Sequence, residues 1–121
     1  MIIRRLATAA VLSLLALSPA MAQDPAPAPA LTLSGAITPT HDPVMIKQGD
    51  TYYLFMTGRG VQWRSSKDLL NWTAGGSVFA TTPAWALEAV PGVRGSLWAP
   101  DISFFNGKYH LYYSASTFGS R

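Results

Sequence analysis

The sequence predicts an all-β chain built from repeated sheet units, and three observations carry that reading. Residues 43–57 and 100–114 align without a gap at an offset of 57 positions, with Tyr52 on Tyr109, Leu54 on Leu111, Phe55 on Tyr112 and Thr57 on Ser114. Each unit is divided by a short polar turn, Gln48-Gly49-Asp50 in the first and Asn106-Gly107 in the second. In the strand after the first turn, Tyr52, Leu54 and Met56 take one face and Tyr53, Phe55 and Thr57 the other, both largely apolar. A sheet apolar on both sides is covered on both sides. A sheet unit recurring every 40 to 60 residues or so is the mark of a blade array such as a propeller.

The N-terminus stands apart from this unit. Arg4-Arg5 precede an apolar run from Leu6 to Leu17, Ser18-Pro19 break it, and Ala20-Met21-Ala22 supply a small-x-small cleavage pattern. Residues 1–22 are read as a secretory signal peptide. The run falls short of the roughly 20 apolar residues that span a bilayer, which weighs against a membrane anchor. Residues 23–30, in which Pro and Ala alternate from Pro25 to Ala30, form an extended spacer with no core-forming side chains. The folded part is placed at 31–121, enough for one small core but not for a closed ring of such units. The reading is therefore of the front part of a longer protein, marginal and sticky alone because an unfinished array leaves edges bare.

Within the folded part, a first strand enters the Gly49-Asp50 turn, a second leaves it, and a third is expected at about 61–65 after Gly58-Arg59-Gly60. Asp68 and Asn71 are expected to turn back onto backbone N–H groups with Trp72 packed beneath, and Val78-Phe79 are taken as the fourth strand. Residues 81–95 read as a long link to the second unit. There, Asn106-Gly107 favours a type I′ hairpin because both residues tolerate positive φ.

Charge and composition exclude more than they assign. After residue 22 there are seven basic and six acidic side chains, a net of +1, with no basic stripe for a phosphate backbone. Nucleic acid is not an expected partner. No cysteine is present, so an exported fold must hold by burial without disulfides. No zinc spacing, phosphate loop or nucleophile elbow occurs. His110, on the strand position of Tyr53, reads as a packed sheet residue rather than a ligand.

Chemistry is sought where the units begin. His41-Asp42-Pro43 opens the first, and Pro43 is expected to restrict Asp42 to an extended backbone and fix its side-chain direction. An aspartate held at the centre of a funnel can act as general base toward water; an ordinary turn Asp before Pro is the competing reading. Leu97-Trp98-Ala99-Pro100-Asp101 opens the second unit, which puts Trp98 on the same rim. A rim Trp suits the apolar face of a sugar, a core Trp being the alternative. Asp42 and Asp101 are both expected at the start of a first strand. Asp101 aligns with Val44 rather than Asp42 and is read as orienting the rim or bonding backbone. Phe118 is a second stacking platform or a packing residue.

Together, His41-Asp42-Pro43-Val44, Tyr52-Tyr53-Leu54-Phe55 with Thr57-Gly58, Ser66-Lys67-Asp68-Leu69 with Asn71-Trp72, Leu97-Trp98-Ala99-Pro100-Asp101 and residues 108–120 resemble the start of glycoside hydrolase family 43. Within it they resemble the secreted bacterial endo-1,5-α-L-arabinanases. The resemblance implies the first blade and the start of the second of a five-bladed β-propeller, and hydrolysis of arabinan with inversion. It implies Asp42 as general base, with His41, Trp98, Asp101 and Phe118 as substrate-binding residues. The general acid and the carboxylate that modulates it would come from later blades. No cofactor is expected in this stretch, although some members hold an axial calcium ion through a downstream histidine. The expectation is a secreted or periplasmic monomer, free of the membrane after cleavage. Two further readings stay open: a non-catalytic carbohydrate-binding propeller, and another family 43 glycosidase such as a β-xylosidase or α-L-arabinofuranosidase.

Overall fold

The computed structural model describes residues 27–117. The expected signal peptide and the start of the spacer lie outside these residues; residues 27–30 are exposed and without regular structure. Nine elements follow: β1 (Ser34–Gly35), β2 (Val44–Gln48), β3 (Thr51–Met56), β4 (Gly58–Arg59), β5 (Gln62–Ser66), β6 (Asn71–Ser77), α1 (Ala84–Ala89), β7 (Ser96–Phe105) and β8 (Lys108–Ala115).

β2, β3, β5 and β6 form an antiparallel meander, the first blade, and the short β1 adds a parallel edge against β6. β7 and β8 form the hairpin that starts the second blade. β4, two residues past the end of β3, pairs with the start of β7 and stitches the two sheets together. The 57-residue repeat is thus a repeat of hairpins. Gln48 pairs with Thr51 and Phe105 with Lys108, leaving two-residue turns at equivalent positions. In the second turn Asn106 (φ 50°) and Gly107 (φ 73°) are both left-handed, the type I′ geometry expected of Asn-Gly.

The two faces of β3 are covered differently. Leu54 and Met56 are buried with Trp72, and Ile37 and Tyr52 pack on that cluster. Leu31 and Leu33 are exposed, and Ile37 is the residue of the N-terminal arm that packs on the core cluster. The other face of β3 looks toward the second blade. Tyr53, Phe55, Ile46, Trp63, Ile102 and Tyr109 line a cavity of about 400 Å³ there.

The turn between β5 and β6 is closed as its composition predicts. The Asp68 carboxylate accepts the Leu70 and Asn71 N–H groups at 2.8 and 2.7 Å and the Asn71 side-chain amide at 2.7 Å. These bonds hold the Asp68 pKa well below the usual carboxylate range, the Asn71 backbone N–H contributing most. Trp72 lies buried under the turn and donates Nε1–H to the Leu69 carbonyl at 3.1 Å.

Four expectations need correction. The fourth strand is Asn71–Ser77, not Val78-Phe79, which only continue its bonding to the Val61 and Gly60 carbonyls. Ala74-Gly75-Gly76 show no alternation, because Gly75 lies against the Trp63 indole, where a Cβ would come within 2.3 Å. The link at 81–95 contains α1, which seats Trp85 against Tyr113 with ring centroids 6.0 Å apart. Asp42 is not extended: its φ is 48°. Asp101 does not begin its strand but lies inside the ten-residue β7, paired with Tyr112.

Candidate active site

The site is built where the two blades meet. The chain reaches it through residues 39–40, which buried Arg64 of β5 anchors: its guanidinium donates to Thr40 Oγ1 at 2.8 Å and to the Pro39 carbonyl at 2.6 Å. No acid pairs with Arg64 among the described residues; these oxygens satisfy it. The backbone then turns left-handed at Asp42 before Pro43. The preference of a pre-proline residue for extended backbone is overridden by what the neighbours bond. The Thr57 N–H donates to the His41 carbonyl at 3.0 Å, and the Thr57 hydroxyl donates to Asp42 Oδ2 at 2.7 Å.

The Asp42 carboxylate is asymmetric. His41 Nδ1 lies 2.8 Å from the same Oδ2 that Thr57 reaches. Since an ionised carboxylate only accepts, the His41 proton facing it sits on Nδ1. Oδ1 has no protein partner among the described residues, and the side chain keeps 40% of its area exposed. The Thr57 hydroxyl, above all, holds the Asp42 pKa below the ordinary aspartate value; burial opposes it, and His41 adds to the lowering. Asp42 is therefore a partly exposed anion with one oxygen tied by two hydrogen bonds and the other without a protein partner among the described residues.

The second blade reaches this carboxylate through backbone. Between Trp98, opposite Ser114, and Asp101, opposite Tyr112, two residues of β7 face one of β8. This bulge gives Ala99 a φ of 42° and aims its N–H at Thr57 Oγ1, 2.7 Å away. Ala99 is the counterpart of Asp42 in the repeat, and both take the same left-handed turn before a proline.

Trp98, the residue before Ala99, is half-buried, and its Nε1–H donates to the Ser116 carbonyl at 3.4 Å. With Gly92, Arg94, Ser96, Ser116 and Thr117 it lines an open cavity of about 540 Å³. The described walls of that cavity do not include Asp42; the connection between them is the Ala99–Thr57–Asp42 chain. His41 is exposed beside the carboxylate. Asp101 is exposed and bonds the Ile102 N–H at 2.9 Å, so its described contact is with backbone. Phe118 lies outside the described residues. His110 stacks on Phe105 with ring centroids 3.7 Å apart. No three His, Asp or Glu side chains gather as metal ligands among the described residues, so none is assigned to calcium.

Thr57 and Arg94 are absent from the sequence-derived set. The repeat did mark Thr57, since a hydroxyl recurs at Ser114. Nothing marked the Ala99 N–H, because a backbone donor leaves no trace in residue type.

Residues 37–121 match the profile of glycosyl hydrolases family 43. The chain belongs to that family. An extracellular exo-α-(1→5)-L-arabinofuranosidase from Cellvibrio japonicus is 52% identical over 79 residues, covering 65% of this chain and 23% of that protein. An extracellular endo-α-(1→5)-L-arabinanase from Bacillus subtilis is 48% identical over 84 residues, covering 66% and 26%. Among solved structures, a family 43 endo-arabinanase from Bacillus licheniformis superposes with a TM-score of 0.69 at 44% identity, covering 75% of this chain and 32% of that one. A Cellvibrio cellulosa α-L-arabinanase complexed with arabinohexaose superposes with a TM-score of 0.64 at 51% identity, covering 66% and 25%. The chain spans about a quarter of the length of the curated relatives it matches. Its strands are the first blade and the start of the second of a five-bladed β-propeller.

Proposed function

We propose that the protein to which this region belongs hydrolyses α-1,5-linked arabinan by an inverting mechanism, with Asp42 as the general base. The observation that carries the reading is the state of that carboxylate. It is ionised, partly exposed, fixed through Oδ2 by Thr57 and His41, and has no protein partner at Oδ1 among the described residues. A water bonded to Oδ1 would lose its proton there as its oxygen attacks the anomeric carbon. The acid that protonates the leaving oxygen must stand about 6.5–9.5 Å away to leave room for that water. Opposite blades of a ring can supply such a pair, and a single blade cannot.

Arabinan as substrate is supported by the relatives' names and by the arabinohexaose held by one of them. Trp98 and the cavity it lines would stack and hold furanose rings, with Phe118 and His41 as further contacts and Asp101 as a rim residue. The printed activities of the relatives include both endo and exo action, so cleavage from chain ends is the second reading. An extracellular site of action, reached through the N-terminal leader, fits relatives named extracellular. The protein would act there as a monomer.

The test uses the full-length protein on linear arabinan. Asp42→Ala should lower kcat by about 10²–10⁴-fold with KM little changed. NMR of the first-formed product should show the anomer opposite to the substrate linkage. Near-normal turnover by the variant, or retention of configuration, would remove Asp42 from the role.

A further inference from the structure

We infer that Thr57 is a positioning residue for this reaction: its hydroxyl locks Asp42 Oδ2 and ties that carboxylate to the bulge of the second blade, so that Oδ1 is the oxygen presented to water. The inference rests on the reading of Asp42 as the base.

The proton count fixes the direction of the chain. A backbone N–H can only donate, so at Ala99 the Thr57 oxygen must accept. The single Thr57 proton is then left for Asp42, and an ionised carboxylate can only accept it. No rotation of the hydroxyl satisfies both neighbours otherwise. Thr57 also spends its own N–H on the His41 carbonyl. One residue thereby fixes the backbone before the carboxylate, the carboxylate itself and the facing blade. It stands between β3 and β4, where the chain leaves the first sheet and begins to pair with β7. A β-branched side chain half-buried there is stiff about χ1 and loses little on holding this position.

The electrostatics of the carboxylate follow from few groups. His41 comes from its own segment. From β7 the approach is backbone alone, through Ala99. From β5 comes Arg64, whose described bonds go to Thr40 and Pro39. Among the described residues His41 is the only basic side chain that pairs with Asp42 within 4.0 Å. Removing the Thr57 hydroxyl should move the Asp42 pKa upward, since that hydrogen bond is the largest cause of its lowering.

The experiment compares full-length wild type, Thr57→Ser and Thr57→Val on linear arabinan, with Asp42→Asn as reference. Valine keeps the shape and removes both the donor and the acceptor. Thr57→Val should lower kcat by about 10- to 100-fold, the loss of one hydrogen bond to a charged group, with KM within about threefold. The acidic limb of kcat/KM should move to higher pH. Thr57→Ser should restore both. Carboxyl-carbon NMR of Asp42 in the same proteins should show its pKa rise in Thr57→Val and return in Thr57→Ser. An unmoved Asp42 titration, or Thr57→Ser behaving like Thr57→Val, overturns the inference. Turnover by Asp42→Asn would instead overturn the base assignment, and the NMR titration still decides whether Thr57 holds the carboxylate.

Discussion

Two tryptophans that look alike in the sequence should fail in opposite ways. Trp72 is 6% exposed, packs on Leu54 and Met56, and donates to the Leu69 carbonyl. Truncation of a large aromatic in such a core removes about 3–5 kcal/mol of stability. In the full-length protein, Trp72→Ala should lower the thermal midpoint by roughly 10 °C. KM of the fraction that remains folded should be unchanged. Trp98 is half-buried, with a long 3.4 Å hydrogen bond and one side open to the cavity it lines. Trp98→Ala should remove only about 1 kcal/mol of stability. Stacking on an aromatic ring is worth about 0.5–1.5 kcal/mol beyond the area buried, so KM on linear arabinan should rise about tenfold. The assay is a pair of measurements on each variant, thermal midpoint and KM. If Trp98→Ala melts as early as Trp72→Ala, or leaves KM unmoved, Trp98 is a core residue and the cleft reading fails.

Other outcomes follow from the same structure. Gly35 (φ +76°) has room for no side chain, because a Cβ would lie 2.1 Å from the Trp72 carbonyl, whereas Gly107 (φ +73°) faces open space. Gly35→Ala should therefore lower the thermal midpoint well beyond the effect of about 1 kcal/mol expected for Gly107→Ala, and equal losses would discount the clash. Arg64→Met should remove the hydrogen bonds to Thr40 and Pro39, destabilise the fold by about 2–4 kcal/mol and reduce kcat with it; a stable, fully active variant would refute the anchoring role. Asp68 has a lowered folded pKa, so its contribution to stability is present above its unfolded pKa of about 3.9 and is lost as pH falls through the folded value. Asp68→Asn should show a shallower loss of thermal midpoint from about pH 5 to pH 2 than wild type. Identical acid profiles would contradict it.

What the sequence made legible was whatever side-chain type enforces. The paired hairpins show because Tyr52, Leu54 and their partners at 109 and 111 alternate, and because Asn106-Gly107 admits little besides a tight turn. The Asp68 turn shows because a short carboxylate beside Asn71 bonds local amides. β6 was displaced toward Val78 because a strand that accommodates the Trp63 indole with glycine carries no apolar alternation. The six-residue α1 was invisible for a related reason. It has no side-chain cap, its ends carry no charge suited to a helix, and it is held by tertiary contacts such as Trp85 with Tyr113. Asp42 could be nominated from its motif with His41 beside it, but the bond from the Ala99 N–H to Thr57 could not, since it depends on how β7 meets the first blade.

The two left-handed turns show what repetition contributes to chemistry here. Asp42 and Ala99 occupy the same place in successive blades, precede prolines that align, and have φ values of 48° and 42°. Non-glycine residues held in this region store about 1–3 kcal/mol each, and such strain persists only where the surroundings impose it. Thr57 holds both kinks, bonding the His41 carbonyl and Asp42 carboxylate on one side and, at the β7 bulge, the Ala99 N–H on the other. The same backbone kink thus does different work in adjacent blades. In the first it carries a carboxylate, the proposed base; in the second it carries a methyl group, and the bonded atom is the amide. A carboxylate at position 99 would place a second negative charge near Asp42 and raise the pKa of the proposed base. Ala99→Asp in the full-length protein should therefore move the acidic limb of kcat/KM to higher pH even if the fold is kept. A limb that stays in place would mean that Asp42 and position 99 do not share the electrostatic environment that this geometry requires.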